Sequence, residues 1–154
     1  MRPLRSLLVF KLGTWAGMMA AAALVRRAMP SHGDEESDEV ALVAVLNGIE
    51  LESRARAFKG GSIFAWFGGV ELDLTQAELA PGAQLSVNAI LGGVAIKTPP
   101  SWRVESNVRA VAGGVAVGER ASSAAEGAPV LALDGLALFG GVAVDSEKAA
   151  SVDN

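Results

Sequence analysis

The chain has 154 residues, of which 51% are hydrophobic and 19% are charged, with a formal net charge of −4. This acidic balance argues against nucleic acid as a partner, because a nucleic-acid-binding surface needs clustered Lys and Arg side chains. The absence of cysteine excludes a disulfide framework and a thiolate metal site.

The amino-terminal segment, residues 1–29, contains a nearly unbroken apolar run from Leu7 to Val25 with one charge, Lys11. As an α-helix, its 19 residues would span about 28 Å, close to the roughly 30 Å of a bilayer hydrocarbon core. The segment is therefore predicted to be a single-pass helical membrane anchor. The alternatives are a helix that caps the folded domain and a signal peptide, which Arg26-Arg27 disfavours at the expected cleavage position. Positive charges flank both ends, so the side of the membrane is left open.

Residues 30–39 are predicted to be a solvated acidic linker, because five carboxylates crowd into them without apolar neighbours. A calcium site is disfavoured, since the spacing matches no EF-hand loop. The only histidine, His32, lies here without a second ligand or a nucleophile nearby. We therefore expect it to be solvated and not catalytic.

A glycine-centred motif then recurs five times, and this repeat is the main signal in the chain. Its anchor glycines are 21, 24, 21 and 27 residues apart, and an alanine lies four residues before each one. A period in this range is typical of repeat architectures. The anchors are Gly48, Gly69, Gly93, Gly114 and Gly141.

After each anchor glycine, apolar and outward-facing positions alternate, as they do in a strand with one buried face. Glycine pairs disfavour a helix here. We interpret the glycines as corners where the chain turns onto a new face, and Asn47, at the first-glycine position of the first repeat, indicates a left-handed backbone there. Residues 40–145 are thus predicted to form an all-β domain, a short β-solenoid of about five coils. A sandwich of short strands is the alternative, and residues 146–154 are predicted to be a disordered tail.

Catalytic machinery is not evident, so we predict a non-enzymatic protein without cofactor, metal or small-molecule substrate. Triad and zinc chemistry lack a required Cys or structured His. Glu50 and Glu71 are expected on one outer face in neighbouring coils, where charged side chains are ordinary. The glycine pairs lack the strand-loop-helix context of a phosphate loop.

One outer face is a candidate partner surface. Ala95, Ala116 and Ala143 present small neutral side chains where Glu50 and Glu71 present charge. We expect this face, or the carboxy-terminal end of the domain, to bind a protein or a second copy of the chain. The tryptophans Trp66 and Trp102 are expected to pack in the core.

The run Gly60 to Val117, with "LALFGGVAV" after it, resembles the carboxy-terminal domain of the LiaF-like cell-wall-active antibiotics response proteins. The resemblance is carried by "FGGVELDL" at Phe67–Leu74, "NAILGGVAIKTP" at Asn88–Pro99 and "FGGVAV" at Phe139–Val144. It implies a bacterial membrane-associated, non-enzymatic domain. The best-known members damp a two-component sensor of envelope damage, whereas this chain has one candidate membrane helix instead of several.

Together these features predict a scaffold or interaction domain at the bacterial cell membrane, with a protein partner such as a sensor kinase. The alternative is a structural β-solenoid that polymerises end to end.

Overall fold

A computed structural model describes residues 31–147, together with Leu24 and Arg27. The predicted membrane helix at 1–29 and the predicted tail at 146–154 therefore lie largely outside the described residues. No helix in the described part of the chain is long and apolar enough to cross a membrane.

Residues 31–147 form ten strands and one short helix: β1 Glu39–Val45, β2 Gly48–Glu52, β3 Phe58–Trp66, β4 Gly69–Asp73, β5 Leu79–Ile90, β6 Gly93–Thr98, β7 Arg103–Val111, β8 Gly114–Val117, α1 Glu119–Ser122, β9 Val130–Leu138 and β10 Gly141–Ser146.

The strands form two five-stranded sheets, which the chain visits in alternation. The first sheet has the order β1-β3-β5-β9-β7, and the second has the order β2-β4-β6-β10-β8. Every pairing between neighbouring strands is parallel. Each sequence repeat therefore contributes one strand to each sheet, and the prediction of an all-β domain is confirmed.

The register aligns the repeats residue by residue. In the second sheet Gly48 pairs with Gly69, Gly69 with Gly93, Gly93 with Gly141, and Gly141 with Gly114. Position along the chain does not give position in the stack, because the last repeat lies between the third and the fourth. The long interval before Gly141 holds α1 and the loop that returns the chain to this inner place.

The inner faces of the two sheets form a shared core. Inward side chains are buried in the three central strands of the second sheet but only half-buried in β2 and β8, which have one neighbouring strand each. The buried set is Val70, Leu72, Val94, Ile96, Val142 and Val144, and the half-buried set is Ile49, Leu51, Val115 and Val117.

Trp66 and Trp102 differ in their placement. Trp102 is 3% exposed and belongs to the core, so its prediction is confirmed. The prediction for Trp66 is wrong, because this residue is half-buried on the outer face of the first sheet. Ala65 occupies the inward position and is fully buried, so strand alternation directs the next residue outward.

The segment Ser31–Asp38 keeps its side chains largely exposed, but its backbone is not simply solvated as the composition predicted. The His32 amide donates to the Ala41 carbonyl oxygen at 2.7 Å, and the Ala41 amide donates to the His32 carbonyl oxygen at the same distance. This antiparallel bridge places the segment along the outer edge of β1.

Candidate functional site

The first glycine of each pair is required by the spacing between neighbouring strands. A Cβ atom at Gly68, Gly92, Gly140 or Gly113 would overlap the carbonyl oxygen of the equivalent residue in the next strand pair. None of these four glycines has a positive φ. Their function is thus close backbone stacking, and any side chain would push two repeats apart.

Asn47 takes this position in the first repeat because β2 ends the second sheet. Gly68 lies on its inner side, and no further described strand lies on its outer side, so a side chain fits. The Asn47 Oδ1 atom accepts a hydrogen bond of 2.8 Å from the Val45 amide. The interpretation that this position needs a left-handed backbone is wrong, since Asn47 has no positive φ.

The predicted corner glycines each begin a strand of the second sheet and face open space. A Cβ atom at Gly48 or Gly114 would meet nothing within 4 Å, and at the other three anchors nothing closer than 3.6 Å. Packing within the chain therefore does not require glycine at Gly48, Gly69, Gly93, Gly114 and Gly141. Together they leave a smooth strip of exposed backbone on the outer face of this sheet.

The left-handed corner is formed by the residue before each pair, and that residue is never glycine. Its φ lies between 50° and 56° in all five repeats. A left-handed conformation costs an L-residue roughly 1–2 kcal/mol, which glycine would avoid. Four of the five side chains are nevertheless large and apolar: Leu46, Phe67, Leu91 and Phe139, with Ala112 in the fifth repeat.

These corner side chains are stacked along the edge between the sheets. Backbone bonds step from one repeat to the next, from the Phe67 amide to the Ile90 carbonyl and from the Leu91 amide to the Leu138 carbonyl. Phe67 is 40% exposed, Leu91 44% and Phe139 60%.

In the other four repeats the preceding residue extends the same apolar surface onto the outer face of the first sheet, whereas Val45 of the first repeat is fully buried. These residues are aligned by the strand register, and the Trp66 and Phe67 rings lie 5.9 Å apart. We call the combined surface the corner ridge; it consists of Leu46, Trp66, Phe67, Ile90, Leu91, Val111, Leu138 and Phe139. Because large exposed side chains are held in a strained backbone, folding alone does not explain them.

The predicted partner face is also present as a continuous row. Ala143 pairs with Ala95 on one side and with Ala116 on the other, and all three are exposed. Glu71 and Glu50 continue the row towards β2. The row and the glycine strip form a shallow, open depression across the second sheet. Its neutral part carries only the small side chains of Ala95, Ala116 and Ala143 on the outer row. A contact role for these three residues stays a prediction.

Glu71, the last charged residue of the row before Ala95, forms an ion pair with Lys97. The Lys97 Nζ atom lies 2.8 Å from the Glu71 Oε1 atom. The hydrogen bond and the charge of Glu71 raise the pKa of Lys97 above its ordinary value. The Glu71 carboxylate is thus engaged in an ion pair, and Glu50 is its neighbour in the strand register.

Candidate metal ligands do not gather in the described part of the chain: no three of its His, Asp and Glu side chains are arranged to hold an ion. His32 lies at the β1 edge, where its backbone is paired. Among the described residues, the corner ridge is the candidate binding surface, because it combines exposed apolar side chains with a left-handed backbone. Comparisons with protein-family models, curated proteins and solved structures gave no match.

The corner ridge was missed by sequence reasoning, although a signal for it exists. In four of the five repeats the residue before the glycine pair, or before Asn47-Gly48, is Leu or Phe. A bulky residue there is unexpected if that position is a left-handed corner.

Proposed function

We propose that this chain is a non-enzymatic interaction domain, held at the bacterial cell membrane by residues 1–29, that binds a protein partner through the corner ridge. The observation that carries the proposal is the left-handed backbone of Leu46, Phe67, Leu91 and Phe139. Glycine at these positions would relieve strain without emptying the core, so the retained side chains indicate selection for contact.

We further propose that the two sheets are the walls of a short β-solenoid with five coils. Support comes from the alternation of strands between the sheets and from the shared register of the repeats. In this fold, three coils wind in sequence and the fifth returns to lie between the third and the fourth. A rigid stack would hold the ridge side chains at a spacing of about 4.8 Å, the distance between paired strands.

The partner class follows from the chemistry of the ridge and from the family resemblance. Alternating Phe and Leu side chains, without charged residues among them, suit an apolar stripe on a partner helix. The LiaF-like resemblance suggests a component of an envelope-stress response, such as a membrane sensor kinase. The proposed membrane tether would keep the domain close to such a protein.

The proposal is tested by polar substitution at the corner with a matched control. Asn tolerates a left-handed backbone, so Phe67→Asn with Phe139→Asn should preserve the fold while removing both phenylalanine rings of the corner ridge. Ala143→Asn places the same side chain on the other sheet. Each full-length variant is captured from detergent-solubilised membranes of the native host, and co-purifying proteins are quantified. We expect the double variant to lose its principal partner at least about tenfold, as expected for loss of about 1.4 kcal/mol, and the control to retain it. Loss of the partner in Ala143→Asn but not in the double variant would show that the alanine face, and not the corner ridge, binds the partner.

The alternative, a polymer that grows end to end, needs a free pairing edge at both ends of the stack. The outward amides of Ala41, Val43 and Val45 in β1 are occupied by His32, Ser31 and Asn47. This edge therefore opposes unlimited growth, so we rank the polymer second.

A further inference from the structure

The two edge strands of the first sheet, β1 and β7, differ in how their outward backbone groups are hydrogen-bonded. At the β1 end, three of the four outward amides, those of Ala41, Val43 and Val45, are hydrogen-bonded. The Ala41 amide bonds the His32 carbonyl at 2.7 Å, and the Val43 amide bonds the Ser31 Oγ atom at 2.9 Å. The Val45 amide bonds the Asn47 Oδ1 atom at 2.8 Å. This edge is closed to a further strand.

At the other end, β7 pairs only with β9 among the described strands. The Arg103 amide donates to the Pro129 carbonyl, and the Phe139 amide donates to the Val111 carbonyl. Odd-numbered residues of β7 therefore direct their backbone groups to β9, and even-numbered residues direct theirs away from it. For Ser106 and Val108, the one bond on this side is a long contact of 3.5 Å from the Val108 amide to the Ser106 Oγ atom.

The core is also incompletely covered at this end. Ala110 is exposed, although its equivalents Ala65, Ala89 and Ala137 are fully buried. Val108 is half-buried, whereas Ile63 at the same place in β3 is fully buried. An added strand would therefore satisfy backbone groups and cover apolar surface together.

We propose that β7 is a homodimerisation edge, where the Glu105–Arg109 segments of two copies pair antiparallel about a two-fold axis at Asn107. This register places Glu105 of each copy opposite Arg109 of the other, on the exposed outer face. Such opposite charges directly across a strand pair stabilise it. It also pairs Ser106 with Val108 of the second copy through the outward backbone groups.

Other symmetric registers are less favourable. An axis at Ser106 sets Arg103 against Arg109, and an axis at Glu105 or Arg109 sets that charge against itself. An axis at Val108 avoids repulsion but forms no opposite-charge pair. An axis at Val104 also sets Arg103 against Glu105, but it lies next to the first residue of β7, so only residues 103–105 of the strand could pair. The Asn107 register is thus the one that combines opposite-charge pairs with the longer strand overlap, and because β1 is closed, pairing through β7 gives a closed dimer instead of a fibre.

Disulfide trapping tests this register directly, because the chain contains no cysteine. Opposite Cα atoms at a non-hydrogen-bonded antiparallel position lie about 4.5 Å apart, within disulfide range. Asn107→Cys should therefore give a covalent dimer when the full-length chain is oxidised in mild detergent. Asp134 is the register neighbour of Asn107 one strand further in and is also exposed. Asp134→Cys is the matched control, since its copies would be about 14 Å apart.

A charge swap tests the partner assignment without cysteine. Glu105→Arg places like charges opposite each other twice in the dimer, so sedimentation should show dimerisation at least about tenfold weaker. Adding Arg109→Glu should restore it. Dimers trapped through Asn107→Cys and rescue by the double swap would support the proposal. A chain that stays monomeric, equal trapping through Asp134→Cys, trapping of a different protein, or failure of the double swap to restore dimerisation would overturn it. The corner ridge is untouched by these variants, so its capture of a partner is scored separately.

Discussion

Gly68 lies so close to the backbone of Asn47 that a Cβ atom on Gly68 would overlap the Asn47 carbonyl oxygen. The same relationship recurs between the equivalent glycines of the later repeats. It explains why the first position of each pair tolerates a side chain only where the stack ends. The conspicuous glycine pair therefore contains two residues with different functions.

Substitution within one pair should separate these functions. Gly92→Ala would place a methyl group against the Gly68 carbonyl, whereas at Gly93 the nearest atom is 4.0 Å away. We expect Gly92→Ala to lower the free energy of unfolding by about 2 kcal/mol or more, and Gly93→Ala to change it by less than about 1 kcal/mol. Urea unfolding of both full-length variants in mild detergent, followed by tryptophan fluorescence, checks this. Equal losses at the two positions would refute the stacking explanation.

The Asn47 side chain should matter as a hydrogen-bond acceptor at the β1 edge. The Val45 amide donates to Asn47 Oδ1 at 2.8 Å, and Val45 is fully buried, so removal of this acceptor takes away a hydrogen bond at a buried position. Asn47→Ala should therefore cost about 1–2 kcal/mol of unfolding free energy and accelerate hydrogen exchange at the Val45 amide. Asn47→Asp keeps an acceptor oxygen and serves as the control. Unchanged exchange in Asn47→Ala would show that the bond contributes little.

Corner side chains should contribute little to stability compared with the core. Phe139 is 60% exposed and strained, whereas Phe58 is fully buried. Replacing Phe139 with Asn should alter the free energy of unfolding by less than about 1 kcal/mol, because relief of strain offsets the lost contacts. Phe58→Ala should cost about 3–5 kcal/mol. A loss at Phe139 as large as that at Phe58 would mean that the ridge exists for folding and not for recognition.

The ion pair on the second sheet predicts a defined titration. Glu71 raises the pKa of Lys97 above its ordinary value of 10.5. Any stability that the pair contributes is present below that value and is lost as the pH rises through the raised pKa. Glu71→Gln should move the Lys97 pKa back down, as measured by NMR titration of the lysine side-chain carbon. An unmoved pKa would show that the two groups are not paired in solution.

Much of the fold follows from local pattern. The alternation after each anchor glycine predicts the inward valines and isoleucines, because strand geometry leaves a single face for the core. The place of β9 between β5 and β7 does not follow, since every repeat carries the same pairing information and only chain connectivity distinguishes them. Trp66 was misassigned because an apolar residue next to a small alanine resembles a core position.

The candidate site depended on backbone geometry that the sequence reports only indirectly. Asn47 suggested a left-handed residue by its type, yet the left-handed residue is Leu46, its neighbour. A side chain at Asn47 fits because β2 is an end strand of the second sheet. The sequence does not identify β2 as an end strand, so this reason could not be predicted. The flat row at Ala95, by contrast, was predictable from strand alternation.

Site-specific photo-crosslinking in intact cells tests the central claim, that the corner ridge is the surface through which this domain contacts its partner. A photoreactive amino acid is placed at Phe139 in one full-length variant and at Ala143 in another, two exposed positions only a few residues apart on opposite sides of one corner. We expect strong crosslinking to one protein from Phe139 and little from Ala143. Crosslinks from Ala143 with none from Phe139 would contradict the account.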